Sequence, residues 1–175
     1  MPSVRRFARA RHVRAGTMRA ELAFPRQSAV RKVIGIQYAA LPYRVVGGVP
    51  QILLITSRRT RRWIVPKGWP VDGLHPRDCA AMEALEEAGV CGELSEDSIG
   101  SFRYVKHSKK GISVPCTVEV YALRVTQQRR SWMEKNERGR RWHTIDEAAS
   151  AVEEPMLRLL ILQLGDQLTE ASNPA

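Results

Sequence analysis

The apolar positions of this chain change their spacing several times, and each change marks an element. Residues 33–41 form an apolar, partly β-branched run, and residues 51–56 form a second one dense in Ile and Leu. Both predict strands, the second of them central. Gly47, Gly48 and Pro50 between them predict a turn. Trp63, Ile64 and Val65 read as a short strand stopped by Pro66, after a strongly basic loop over residues 57–62. Residues 67–73 contain two glycines and a proline and read as a further loop. The spacing then becomes helical. Ala81, Ala84, Leu85 and Ala88 recur at i, i+3, i+4 and i+7, which predicts a helix from about Pro76 to Ala88. Pro76 suits its first position and Gly89 the residue just past its end. Residues 99–107 and 113–125 predict a hairpin turned at 108–111. Residues 127–140 are polar, a loop around Trp132. Thr144 caps a short helix through Ala151, with Glu147 completing a capping box, and residues 155–168 predict a final amphipathic helix. No internal repeat interrupts this order. Strands around one central helix, with helices at the end, predict an α+β sandwich.

Length and composition agree with that picture. The chain has 175 residues, of which 43% are hydrophobic and 26% charged, an ordinary balance for one domain with a core. No apolar run approaches the roughly 18 residues of a membrane span, and the first residues lack the apolar core of a secretory signal. Cys79, Cys91 and Cys116 are widely spaced and form no CxxC, which argues against a disulfide framework or zinc site and leads us to expect a cytoplasmic protein.

Charge adds a partner class. The net charge is +10, which favours polyanions: nucleotides, polyphosphates or nucleic acid. The excess is uneven, because residues 1–28 hold seven arginines and a single acid, Glu21. We therefore expect a basic N-terminal extension over 1–28, a domain over 29–168 and a C-terminal tail over 169–175. The extension reads as a disordered tail or as an arm for nucleic acid.

The predicted helix carries the candidate chemistry. On a helical wheel at ~100° per residue, Glu87 falls about 40° to one side of Glu83 and Glu86 about 60° to the other. Three carboxylates thus share one face, opposite the apolar stripe. Like charges within a turn repel, and a divalent cation with hard oxygen ligands would offset the repulsion. A solvated acidic face is the alternative reading of the same pattern.

The segment from Gly68 through Leu74, Met82, Glu83, Ala84, Glu86, Glu87 and Gly89 to Val90 resembles the Nudix box, G-x5-E-x7-R-E-U-x-E-E-x-G-U, in length and register over all 23 positions. Leu74 stands where the pattern has its first glutamate, and Met82 where it has arginine. In the family those two residues help to order the catalytic helix, so their absence implies bracing from apolar packing or other basic residues. The flanking residues Trp63–Lys67, and Arg141-Trp142 followed by Thr144 to Ala149, resemble the diphosphoinositol polyphosphate phosphohydrolase branch.

The resemblance implies a Nudix-type α/β/α sandwich with a mixed sheet. It implies water attack on a diphosphate linkage assisted by Mg²⁺, or Mn²⁺ in its place. Glu83, Glu86 and Glu87 are the implied metal ligands, unless one of them serves as the base, and the carbonyl of Lys67 is a further one. Glu119 on the strand over 113–125 is an additional candidate ligand or base; alternation along strands also allows it simply to face outward. By position, Thr56, Ser57 and Arg58 resemble phosphate-contacting residues of that branch. Arg59, Arg61, Arg62, Arg138, Arg140, Lys106, Lys109 and Lys110 are further phosphate candidates. His107 and His143 read as surface or packing residues, and Trp63, Trp69 and Trp142 as anchors. The expected partner is a polyphosphorylated small molecule, a diphosphoinositol polyphosphate or a dinucleoside polyphosphate. A silent Nudix-fold module that binds RNA or another polyanion is the alternative.

Overall fold

The computed structural model describes residues 34–107 and 111–172. The basic stretch 1–28, Lys109 and Lys110 lie outside the described residues. Within them, strands β1 (Gly35–Val46), β2 (Val49–Thr56), β3 (Trp63–Ile64), β4 (Lys67–Gly68), β5 (Val90–Leu94), β6 (Gly100–His107), β7 (Ser113–Gln128) and β8 (Arg140–Thr144) form one sheet. Its main path is β3-β2-β1-β7-β5, with β4 on β1, β6 on β7 and β8 on β2. The sheet is mixed. β1 and β7 run parallel from Gly35 opposite Cys116 to Tyr43 opposite Arg124, and the remaining pairs are antiparallel.

The two long central strands bury both of their faces, which explains their unbroken apolar runs. Ala39, Leu41, Ile52 and Leu54 pack under helices α2 (Ile145–Ala151) and α3 (Pro155–Ser172). Ala40, Leu53 and Ile55 face the other way, against Ala80, Ala84 and Ala88 of helix α1 (Pro76–Glu83) and the π-helical turn Ala84–Ala88 that continues it. Helices therefore cover both faces, as the α/β/α expectation required. Among the described residues no helix is long and apolar enough to cross a membrane.

Several elements differ from the sequence reading. β1 runs on to Val46, and the turn shrinks to Gly47-Gly48, both in the left-handed region with φ of 58° and 81°. β4, β5 and β8 are strands that the pattern does not announce. β8 reads Arg-Arg-Trp-His-Thr, and its strand character comes from pairing with β2, from Gln51 opposite Thr144 to Ile55 opposite Arg140. β5 is broken in register between Cys91 and Gly92, where a Cβ on Gly92 would meet the Arg124 carbonyl oxygen at 1.9 Å. α3 ends at Ser172, four residues beyond the expected end of the last helix. The Thr144–Glu147 capping box is present as predicted.

Candidate active site

Small residues set where the carboxylate helix lies. Ala80, Ala84 and Ala88 recur every fourth residue and are fully buried against the sheet, so the helix axis comes close to it. Over Ala84–Ala88 the helix widens into a π turn, a deviation that concentrates at functional sites. Burial separates the three carboxylates that the wheel groups. Glu83 and Glu86 stay half-buried at the surface, whereas Glu87 turns inward and is only 7% exposed. The picture of three carboxylates on one open face is therefore corrected: two are accessible and the third is buried.

Burial of Glu87 is offset by specific partners, as a buried charge requires. Its Oε2 accepts the Lys67 backbone N–H at 3.1 Å, and its Oε1 is paired with Nη2 of Arg138. Arg138 is itself buried and extends the network. Its Nε is paired with Glu134, and its Nη1 donates to the Thr56 carbonyl at 3.2 Å. Burial raises the Glu87 carboxyl above its usual range, while Arg138 and Lys67 oppose the rise.

Glu83 lies over Gly68. A Cβ at Gly68 would meet Glu83 Oε1 at 1.7 Å, so only glycine leaves room for this carboxylate. Burial, then Glu87, Glu86 and Glu134, push the Glu83 carboxyl up to about 7. Glu134 stands on the 129–139 loop, and its backbone N–H donates to the Glu86 carbonyl at 3.2 Å. It brings a fourth carboxylate to the group that sequence reasoning missed, because nothing in a polar loop distinguishes it from Glu137.

The end of the helix is closed from the same loop. Trp132 Nε1 donates to the Glu87 carbonyl at 3.2 Å, and its ring occupies the space where a Gly89 side chain would be, with a Cβ there 2.7 Å from the indole. Gly89 has φ of 63°, the left-handed helix stop expected of it. Arg140 Nη1 donates to the Ala88 carbonyl at 2.6 Å, and its guanidinium stacks 3.8 Å from the Trp132 ring centroid.

A cavity of about 320 Å³ opens beside this network. Six basic residues line it, Arg58, Arg59, Arg62, Lys67, Lys106 and Arg138, and Glu87 lies in its wall. Burial pushes the Lys67 ammonium down to about 8. Its Nζ sits 5.1 Å over the ring of Tyr104, whose hydroxyl donates to Gln37 at 2.6 Å. Of the residues singled out from sequence, Ser57, Arg58, Lys67 and Arg138 converge on this cavity, with Arg59, Arg62, Lys106 and His107. Thr56 does not line it. Its Oγ1 accepts the Gly139 N–H at 2.9 Å and it fixes the Arg138 segment to the end of β2. Arg140 is committed to the helix end. Glu119 pairs across the sheet with Tyr38 and Ser101. It is half-buried beside Tyr38 and Tyr121, whose hydroxyls are raised by burial first and by this carboxylate second. His143 is buried edge-on against Trp63, with ring centroids 4.9 Å apart, a packing role.

A profile of the NUDIX domain matches residues 39–161, most of the folded chain. The chain belongs to the NUDIX family. It is 35% identical over 115 residues to Nudix hydrolase 16, mitochondrial, of Arabidopsis thaliana, covering 64% of this chain and 63% of that one. It is 31% identical over 106 residues to diphosphoinositol polyphosphate phosphohydrolase 3-beta of Bos taurus, covering 59% of this chain and 60% of the relative. The match thus spans between half and two thirds of the length of most such curated relatives. The crystal structure of C. elegans Ap4A hydrolase shares the fold with a TM-score of 0.58 at 18% identity, covering 78% of this chain and 99% of the other.

In Nudix terms the two box departures now have structural counterparts. Met82, in place of the box arginine, is half-buried and Leu74 is 44% exposed. The guanidinium that reaches the box carboxylates comes instead from Arg138, outside the box. Among the described residues no three His, Cys, Asp or Glu side chains are gathered tightly enough to grip an ion, and Glu87 is paired with Arg138. The donor set nonetheless fits a divalent cation. Burial first, and then the charges of Glu87, Glu86 and Glu134, raise the Glu83 carboxyl, so four hard oxygen donors stand within electrostatic reach of one another.

Proposed function

We propose that this chain hydrolyses a diphosphate linkage in a highly phosphorylated small molecule, a diphosphoinositol polyphosphate or a dinucleoside polyphosphate, with Mg²⁺ or Mn²⁺ held by Glu83, Glu86 and Glu87 and the Lys67 carbonyl. The observation that carries this reading is the meeting of two opposite surfaces in one cavity. Its wall is rich in arginine and lysine, and the innermost carboxylate of the Nudix box lies in the same wall. The likeness to the bovine diphosphoinositol polyphosphate phosphohydrolase supports the substrate class.

A divalent cation held by these residues would supply charge neutralisation on the phosphate oxygens and would acidify water. The chain's own residues do the rest. The cationic wall orients the phosphates, and Lys67, whose amide and ammonium belong to one residue, ties the Glu87 carboxylate to that wall. One of the accessible glutamates, Glu83 or Glu86, serves as the base in place of a metal ligand and takes the proton from the attacking water.

The decisive experiment is a panel of diphosphate substrates assayed with Mg²⁺ for phosphate release. Turnover should fall at least about a hundredfold in Glu86→Gln and Glu87→Gln. Undiminished rates in both variants would remove the site assignment. A second reading, a polyanion-binding module without catalysis, is favoured by one observation, the occupation of Glu87 by Arg138. It predicts strong, steeply salt-dependent RNA affinity with no hydrolysis.

A further inference from the structure

The six cations of the cavity are not equivalent. Arg58 Nη1 is held by Glu134 at 3.3 Å and Glu137 at 3.4 Å. Arg62 Nη1 is held by Glu153 at 3.1 Å and Glu154 at 2.7 Å. Arg138 is held by Glu87 and Glu134. A phosphate reaching any of these guanidiniums must compete with a carboxylate already in place. Among the described residues Arg59, Lys67 and Lys106 form no ion pair with a carboxylate. Lys67 belongs to the site already described, which leaves Arg59 and Lys106.

These two line the same cavity. Arg59 belongs to the 57–62 loop, is exposed, and reaches only a neutral acceptor, the His107 carbonyl at 3.5 Å. Lys106 belongs to β6, next to His107, and its Nζ rests 4.7 Å over the Trp69 ring. Trp69 is itself anchored, since a Cβ on Gly35 would touch its ring at 2.7 Å. Both cations of this cavity therefore hold only neutral partners. An anion between them would gain two charge-assisted contacts and displace no carboxylate.

Resting on the hydrolase reading above, we propose that Arg59 and Lys106 form a second anion site, which takes a phosphate group beyond the diphosphate that is cleaved. Preferred substrates then carry at least three phosphates, and a molecule whose only phosphates are the scissile pair leaves this site empty. Within the basic loop, Arg58 and Arg62 then hold the loop and Arg59 reads the substrate.

The test uses the full chain and the double variant R59Q/K106Q, with R129Q/R130Q as a charge-matched control on exposed arginines outside the cavity lining. Binding of inositol hexakisphosphate, which has no diphosphate bond to cleave, is measured by calorimetry without divalent metal. R59Q/K106Q should bind about tenfold more weakly or worse, the scale of a lost charge-assisted contact, and the control should match the parent. In kinetics, the double variant should raise KM about tenfold for a diphosphoinositol polyphosphate with kcat within about threefold, and raise KM for ADP-ribose much less. Parental binding in R59Q/K106Q, equal weakening in the control, or equal KM increases on both substrates overturns the second site. If the parent hydrolyses no member of the panel, the hydrolase reading fails, and the metal-free binding measurement still decides the anion site.

Discussion

Arg138 reaches from the 129–139 loop to Glu87, 51 residues earlier in the chain, and is the guanidinium that neutralises the buried carboxylate of the Nudix box. Arg138→Met leaves Glu87 buried without its counter-ion. Breaking a buried pair from one side costs roughly 3–5 kcal/mol, and at ~2–4 °C per kcal/mol the midpoint of thermal unfolding should fall by about 10 °C. Arg138→Lys should recover part of the loss. A melting curve for Arg138→Met within ~2 °C of the parent would show that the pair contributes little.

Gly68 must stay bare for Glu83 to lie where it does. Gly68→Ala forces the Glu83 carboxylate to move, since the added carbon meets Oε1 at 1.7 Å. The neighbouring strand contacts are backbone pairings that alanine preserves, so stability should change by less than about 1 kcal/mol, as for a substitution with a local conflict only. Turnover should drop at least about tenfold with KM much less affected, the pattern of a displaced catalytic group. Steady-state kinetics beside a denaturant titration separates the two.

Glu83 also makes metal binding proton-linked. With its carboxyl pushed up to about 7, most of it is protonated at pH 6 in the metal-free chain, and a cation that binds its oxygens expels the proton. Mg²⁺ affinity should therefore rise from pH 6 to pH 8. Calorimetry at pH 6 in two buffers of different ionisation enthalpy should show net proton release, and buffer-independent heats at that pH would contradict it. The sign for stability is opposite. The folded state holds this proton more tightly than the unfolded state, so without metal the Glu83 contribution to stability is present at low pH and is lost as pH rises through about 7.

Arg140 closes the end of the carboxylate helix. Arg140→Ala removes the donor to the Ala88 and Gly89 carbonyls and the cation stacked on Trp132. The loss should be about 1–3 kcal/mol, the scale of unsatisfied buried acceptors. Hydrogen exchange should rise first at the amides of Ala88 and Gly89, and uniform exchange across the domain would argue against a local cap.

The sequence made local relations visible and long-range ones invisible. Gly68, Glu83, Glu86, Glu87 and Gly89 are legible because their chemistry depends on spacing within one loop and one helix. The Thr144–Glu147 capping box is legible for the same reason. The burial of Glu87 is not, because it goes with Lys67 and Arg138, partners outside the helix. β8 is hidden because its polar residues become a strand only through β2. The arginines were the hardest. Arg58, Arg59, Arg138 and Arg140 are one residue type in two polar segments, yet one is held by two glutamates, one is free of carboxylates, one is buried against Glu87 and one caps a helix. What separates them is which distant acid or carbonyl each one meets, and no spacing rule encodes that.

The arginine loop also imposes an order of assembly. Arg58 is tied to Glu134 and Arg62 to Glu154, partners 76 and 92 residues further along the chain. A ribosome that has released the box helix has therefore not yet delivered the groups that fix the loop beside it. Until the segment around Glu154 emerges and packs, the carboxylates and the arginines exist without a common cavity, and loop closures this long are formed late and slowly. Competence for chemistry should thus appear in one step near the end of folding, with the docking of the C-terminal helices.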